Sequence, residues 1–310
     1  MRPVFKDPAL QATFDRLGYA PIPGFLSPEL VEELKQAYFD SLPERGGSML
    51  SEEADFQTDA AVTYDFTFID RSSEYKQKVF DTITARFKPL YDQFLDNYKP
   101  IIANFIRKEE DSGEVPLHQN WAFVDERKYT SVSIWVPLVD SNEANGTLQM
   151  VDGSHKRFGE LRGPLVPWEL DQIGPEIIAN YLTPMNVSAG DAVVLDDSIV
   201  HYSNVNTTSG LRLTIQLILI PAETESIHYH LSPEGDRTEV TVYEVDRDFY
   251  MAFHPWLKPD GKVLGQRPFK QSYLTRAEFD ARLAQPPFDQ VGGSPEKPQG
   301  LLQRIKGLFS

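Results

Sequence analysis

A mainly β fold with flanking helices (α+β), a barrel or jelly roll closed around an internal site, is the class this sequence predicts. Three features of its pattern lead there. Helical periodicity dominates residues 1–98, whereas short apolar runs separated by turn signals fill about 100–222. Strands and helices do not alternate, which argues against a doubly wound sheet. In the longest strand candidate, 211–220, Leu211, Leu213, Ile215, Leu217 and Leu219 share one face, while Arg212, Thr214 and Gln216 share the other. An apolar face under helices with a polar face turned inward suits a barrel with a site inside.

In chain order, residues 8–17 read as a short helix ended by Gly18, and 19–25 as an extended segment. Ser27 is a good N-cap and Pro28 suits the first helical position. Leu30, Val31, Leu34, Tyr38 and Leu42 then form one apolar stripe. Residues 43–62 are polar, carry Gly and Ser, and read as a loop. Val79, Phe80, Ile83, Phe87, Leu90 and Phe94 predict a helix over 73–96 that Pro89 should kink or split. Strands are predicted at 101–106, 117–124, 132–138, 148–151, 192–195 and 211–220, with Asn145-Gly146 and Gly190-Asp191 as turns. A further strand fits 238–250 and a short helix 275–284. The organisation expected is one domain over 1–284, made of the helical part, the β core and an extension over 223–284. A Pro-, Gly- and Gln-rich linker with a short terminal helix follows over 285–310.

Composition narrows the function classes. Against 30 basic residues stand 46 acidic ones, a net charge of −16, and such a surface repels phosphate backbones, so nucleic acid is not an expected partner. Cysteine is absent, which excludes disulfides, thiolate metal ligands and a cysteine nucleophile. No apolar run is long enough for a transmembrane segment, and the first residues lack the features of a signal peptide, so a cytoplasmic protein is expected.

The residues that carry chemistry are few. His118 and Asn120 lie two apart on a predicted strand and so should face the cavity together. His201 follows another predicted strand, and Arg212 and Thr214 lie on the polar face of the long one. Two histidines and one side-chain oxygen leave half an octahedral shell open, the arrangement that non-haem Fe(II) oxygenases use for co-substrate and O₂. A 2-oxoglutarate co-substrate chelates iron through its keto-acid end. Its distant carboxylate then needs a fixed cation, a place for the Arg212 guanidinium helped by the Thr214 hydroxyl. His155 reads as a loop residue, and His228 and His230, alternating on a possible strand, as surface or pocket-edge residues.

This ordered set resembles the phytanoyl-CoA dioxygenase family of Fe(II)/2-oxoglutarate-dependent oxygenases. The matching residues begin with Gly18-Tyr19 and Pro23-Gly24-Phe25-Leu26-Ser27-Pro28-Glu29. They continue through His118-Gln119-Asn120, Trp135-Val136-Pro137-Leu138-Val139-Asp140, Asn145-Gly146-Thr147-Leu148 and Gly153-Ser154-His155-Lys156. Gly190-Asp191-Ala192-Val193, His201 and Arg212 complete the set, which spans about residues 13–220. The resemblance implies a double-stranded β-helix (jelly-roll, cupin-like) core. It implies His118 and His201 as iron ligands, Arg212 as the 2-oxoglutarate anchor and Trp135 in the same pocket. It also implies hydroxylation of a small molecule (an amino acid, acyl or natural-product intermediate) with O₂ consumed and succinate formed.

One position departs from the family pattern. The first motif of the family is His-x-Asp, and here Asn120 stands where the carboxylate should be. A neutral amide oxygen is a poorer donor than an aspartate. Asn120 is therefore a tolerated ligand in a working enzyme, the mark of a catalytically impaired or non-catalytic member that binds a small molecule, or a gap for another anion, as in halogenases that resemble this family. Asp125, Glu126 and Asp197 are carboxylates that could in principle replace it, although Asp125 shares neither the face nor the spacing of a normal ligand.

Overall fold

The helices begin where side-chain oxygens can take up the orphan N–H groups of a first turn. In the computed structural model, which describes residues 2–49, 65–254 and 257–290, Asp7 caps α1 (Pro8–Leu17), Ser27 caps α2 (Pro28–Ser41) and Ser72 caps α3 (Ser73–Tyr91). Strand β1 (Tyr19–Ile22) lies between α1 and α2, and β2 (Asp65–Phe66) precedes α3. Gly18 ends α1 at φ 83°, and a Cβ there would fall 2.6 Å from His155 Nδ1, so both conformation and packing require glycine.

The β core follows: β3 (Tyr98–Lys108), β4 (Val115–His118), β5 (Val132–Pro137), β6 (Leu148–Val151), a short helix α4 (Gly174–Asn180), β7 (Leu182–Pro184), β8 (Ala192–Asp196), β9 (His201–Ser203) and β10 (Arg212–Pro221). A C-terminal group comprises β11 (Ser226–Leu231), β12 (Glu239–Val245), α5 (Arg247–Ala252), β13 (Val263–Pro268) and α6 (Arg276–Leu283).

Two antiparallel sheets make the double-stranded β-helix. The larger has the order β1-β8-β5-β10-β3-β2 and the smaller β4-β9-β6-β7; β11, β12 and β13 form a third. Strand β10 runs at the centre of the larger sheet, opposite β3 and β5. Its apolar face, Leu213, Ile215, Leu217 and Leu219, joins Phe14, Leu34, Ile83 and Phe87 of the helices in one core. Truncating a fully enclosed side chain such as Ile83 (0% exposed) to alanine costs about 2–5 kcal/mol in such cores. The opposite face carries Arg212 and Gln216 into the space between the sheets.

Three segments differ from expectation. The strand predicted over 117–124 ends at His118. Beyond it the chain leaves the sheet, with Ala122 N bonded to the Arg162 carbonyl and the Phe123 carbonyl accepting from Ile227 N. The helix predicted over 73–96 stops at Tyr91. Pro89 falls in its last turn and does not split it; the N–H it lacks would have bonded the Ala85 carbonyl, so a single helical bond is missing. The strand predicted over 238–250 divides into β12 and α5, since Asp246 accepts from Phe249 N and starts a helix. Much of the predicted loop over 43–62 and nearly all of the predicted terminal segment over 285–310 lie outside the described residues.

Candidate active site

A cavity of about 140 Å³ between the two sheets is lined by His118, Asn120, Trp135, His201, Ser203, Arg212 and Gln216, among others. The two histidines come together because β4 pairs with β9 and puts His118 directly opposite His201. Their ring centroids are 4.1 Å apart. Asn120 reaches the same cavity from the irregular segment after β4, so strand alternation is not what aligns it with His118.

Hydrogen bonds settle the tautomers. His118 Nδ1 lies 2.7 Å from the Pro116 carbonyl and His201 Nδ1 lies 2.9 Å from the Ile199 carbonyl. A carbonyl only accepts, so each Nδ1 carries the proton and each Nε2 keeps its lone pair. Burial pushes both imidazoles down toward the neutral form, His201 further because His118 stands beside it. The Asn120 side chain contacts His118. Its Nδ2 is committed elsewhere, donating to Asp197 Oδ1 at 2.8 Å and more weakly to Ser133 Oγ at 3.2 Å. The amide oxygen is thus the atom left for the histidines. Three acceptors with no donor among them suit a bound cation.

Arg212 lies toward the other side of the cavity. It is 2% exposed, and its guanidinium sits 5.5 Å from the Trp135 ring. Its only side-chain hydrogen bonds among the described residues are long, 3.5 Å to Thr214 Oγ1 and 3.4 Å to Ser203 Oγ, and Nε has no partner. Desolvation pushes it down to about 9. Thr214 braces Arg212 and does not itself line the cavity. Beside them Lys108, 0% exposed, donates to the carbonyls of Ser203 and Asn204 and to Ser203 Oγ. Burial, then Arg212, pushes Lys108 down to about 6. A fully buried arginine without a carboxylate partner matches a carboxylate-bearing ligand.

The three carboxylates near the motif have distinct fates. Glu126 is held by a buried bidentate pair with Arg162 (2.8 and 2.6 Å), and Arg162 Nε also donates to the Asn120 carbonyl at 2.7 Å. Asp125 pairs with Lys128 at the surface. Asp197, 0% exposed, stands directly behind Asn120; burial pushes it up to about 7 against the hydrogen bonds from Ser133 and Asn120. Among the described residues no three His, Cys, Asp or Glu side chains are grouped to hold a metal ion, because the third donor here is an amide.

Sequence reasoning missed Ser203 as a cavity residue, Lys108 beside Arg212, and Arg162 behind Asn120, whereas Gln216 lines the cavity from the inward polar face on which the sequence placed it. Ser203 was findable: it lies two residues after His201, and strand alternation puts the pair on one side. His228 and His230 are buried on β11 and are not surface residues. His228 packs against Phe249 at 4.9 Å and Trp121 at 6.0 Å. Their alternation in a strand covered on both faces, not a metal, explains them. His155 lies on a loop, as expected, but buried. A larger cleft of about 380 Å³ also reaches His118, with Trp121, Trp168 and Phe269 in its walls.

The two-sheet core with this site inside it is the architecture of 2-oxoglutarate-dependent oxygenases. The phytanoyl-CoA dioxygenase (PhyH) family model matches residues 14–214, and the chain belongs to that family. It is 27% identical over 164 residues to the phytanoyl-CoA dioxygenase domain-containing protein 1 homolog of Dictyostelium discoideum, covering 50% of this chain and 55% of that protein. To phytanoyl-CoA dioxygenase 1 of Oryza sativa subsp. japonica it is 29% identical over 113 residues, covering 36% and 40%. The match thus spans about half the length of these relatives. Among solved structures, the non-heme alpha ketoglutarate dependent carbocyclase SnoK has a TM-score of 0.54 at 17% identity, covering 74% of this chain and 89% of that one. The epimerase SnoN, solved in complex with Fe3+, alpha ketoglutarate and nogalamycin RO, has 0.53 at 20%, covering 87% and 97%. At those identities the likeness is one of fold. No helix among the described residues is long and apolar enough to cross a membrane.

Proposed function

We propose that the protein is an Fe(II)/2-oxoglutarate-dependent dioxygenase that hydroxylates a C–H bond of a small molecule. The observation that carries this reading is the polarity of one cavity: three lone-pair donors at His118, Asn120 and His201, and at Arg212 a buried cation with no carboxylate partner among the described residues. His118, His201 and the Asn120 oxygen would hold the metal, Arg212 with Thr214 the distal carboxylate of 2-oxoglutarate, and Trp135 the wall beside it. Bound Fe(II) with 2-oxoglutarate supplies O₂ activation coupled to decarboxylation to succinate. The chain's own part is to fix the neutral imidazole tautomers, orient the dicarboxylate and exclude water.

Substrate would enter by the larger cleft. Its aromatic walls suit a small organic molecule. Its charges are Glu160, Glu169, Asp171, Lys270 and Arg162, and Arg162 is committed to Glu126. Together with the net charge of −16, this disfavours a polyphosphate-bearing substrate such as an acyl-CoA. A non-catalytic binding role has one observation in its favour, the neutral amide in the third donor position; it predicts 2-oxoglutarate binding without turnover. The test is anaerobic Fe(II) binding followed by succinate release on admitting O₂. Iron-dependent succinate that disappears with chelator and in His201→Ala is the expected result; 2-oxoglutarate binding without succinate selects the second reading, and binding of neither iron nor 2-oxoglutarate overturns both.

A further inference from the structure

Asn120 belongs to a hydrogen-bond chain with a single sense. Phe68 N–H donates to Asn104 Oδ1 (2.9 Å), Asn104 Nδ2 to Gln216 Oε1 (3.1 Å), and Gln216 Nε2 to Ser133 Oγ (3.4 Å). Ser133 Oγ donates in turn to Asp197 Oδ1 (2.6 Å), the same oxygen that accepts from Asn120 Nδ2 (2.8 Å). One end of the chain is a backbone N–H, which only donates. The other is a carboxylate, which accepts. Between these two ends each amide can be oriented only one way. The polar groups come from six places in the fold: the segment before α3, β3, β10, β5, the turn before β9 and the irregular segment after β4.

We propose that Asp197 is a positioning residue for the metal site: its carboxylate captures the Asn120 Nδ2 and thereby turns the Asn120 oxygen toward His118 and His201. The arrangement also keeps a carboxylate at the site, moved from the ligand position to the residue behind it. Asn120 and Asp197 thus act as an exchanged pair, amide in front and acid behind. Without Asp197 the amide has no reason to prefer its oxygen over its nitrogen on the metal side, and a nitrogen there carries two hydrogens and no lone pair. The inference rests on the reading of His118, Asn120 and His201 as metal ligands.

Three variants and two readouts test it: Asp197→Asn, Asn120→Asp, and the double variant that exchanges the two residues. Co(II) is the probe, titrated by calorimetry, with its visible absorption reporting coordination. Side-chain NH₂ resonances of Asn120 in metal-free protein report the hydrogen bond directly. Loss of an outer partner of this kind typically weakens metal binding by about 10–100-fold. Asp197→Asn should show that loss and a shifted Asn120 resonance. The double variant should recover the Co(II) affinity that Asp197→Asn loses, because it again sets one amide against one carboxylate. A merely structural Asp197 would lower thermal stability without this rescue. Parent-like Co(II) affinity in Asp197→Asn, or a double variant no tighter than Asp197→Asn, overturns the role of Asp197 and leaves the metal reading standing. A parent that binds no Co(II) overturns both. Should Asp197→Asn not fold, the double variant decides: folding and binding support the exchanged pair, and failure overturns it.

Discussion

Replacing Arg212 by methionine separates ligand binding from folding in a way few buried charges allow. Most buried arginines are paired, and removing one breaks a bridge and destabilises the protein. Arg212 has no carboxylate among its described contacts, and burial depresses it from the ordinary 12.5 to about 9. At about 1.4 kcal/mol per tenfold change in proton affinity, that depression corresponds to several kcal/mol of desolvation that folding does not recover. Methionine of similar length removes this burden, so the ligand-free variant should unfold at the same or higher urea concentration. The ligand shows the opposite effect. A carboxylate left without its buried guanidinium typically loses about 2–5 kcal/mol, or on the order of 30- to 4000-fold in affinity. The assay is calorimetric titration of 2-oxoglutarate into Ni(II)-loaded protein, beside urea unfolding of the metal-free form. A variant that is clearly less stable, yet binds 2-oxoglutarate like the parent, would refute the assignment and make Arg212 a structural residue.

Two further outcomes are expected. Glu126→Ala leaves the Arg162 guanidinium buried and unpaired behind the Asn120 carbonyl; it should cost about 3–5 kcal/mol in urea unfolding and weaken metal binding as well. His228 is held down to about 3 by burial first and by His230 second. Below its ordinary 6.5 the unfolded chain takes up a proton that the folded one refuses, so stability falls as pH drops from 6.5 toward 3. Parent protein should therefore lose about 2 kcal/mol more than His228→Phe between pH 7 and 5; equal losses in chemical unfolding at the two pH values would count against it.

Much of the fold was legible because local rules and tertiary packing agree. The caps at Ser27 and the stripe from Leu30 to Tyr38 placed α2, and alternation along β10 identified both the helix-facing side and the cavity side. His118, His201 and Arg212 were legible through their spacing and Trp135 through the family resemblance, and all four line one cavity. What escaped was set by contacts distant in sequence. The strand expected through Asn120 breaks off because Arg162 and Ile227, both distant in sequence, claim the backbone of residues 120–123. The chain from Phe68 to Asp197 joins amides whose partners lie as far as 112 residues apart, and nothing local marks Gln216 or Asn104 as members. Lys108 lies beyond the strand predicted over 101–106. It is buried because β10 pairs Arg212 with it and the Gly146 turn leaves room for its ammonium; a Cβ on Gly146 would lie 3.0 Å from Nζ.

The departure at Asn120 takes a different meaning once Asp197 is in view. An asparagine alone in the third ligand position would leave the cation there without a negative charge, opposite a cavity wall already carrying Arg212. Repulsion across so small a space would then oppose metal binding. With Asp197 hydrogen-bonded to the amide, the charge is displaced outward by one hydrogen-bond length and not lost. Coulomb attraction falls only as the inverse of distance, so such a displacement weakens the attraction by a fraction and does not abolish it. The amide between is polarised by the carboxylate, which makes its oxygen a better donor than a free asparagine. On the proposed reading, the cavity therefore keeps the division of charge that a metal and a dicarboxylate need: negative behind the histidines, positive at Arg212. A neutral third ligand is compatible with that division as long as Asp197 stays where it is.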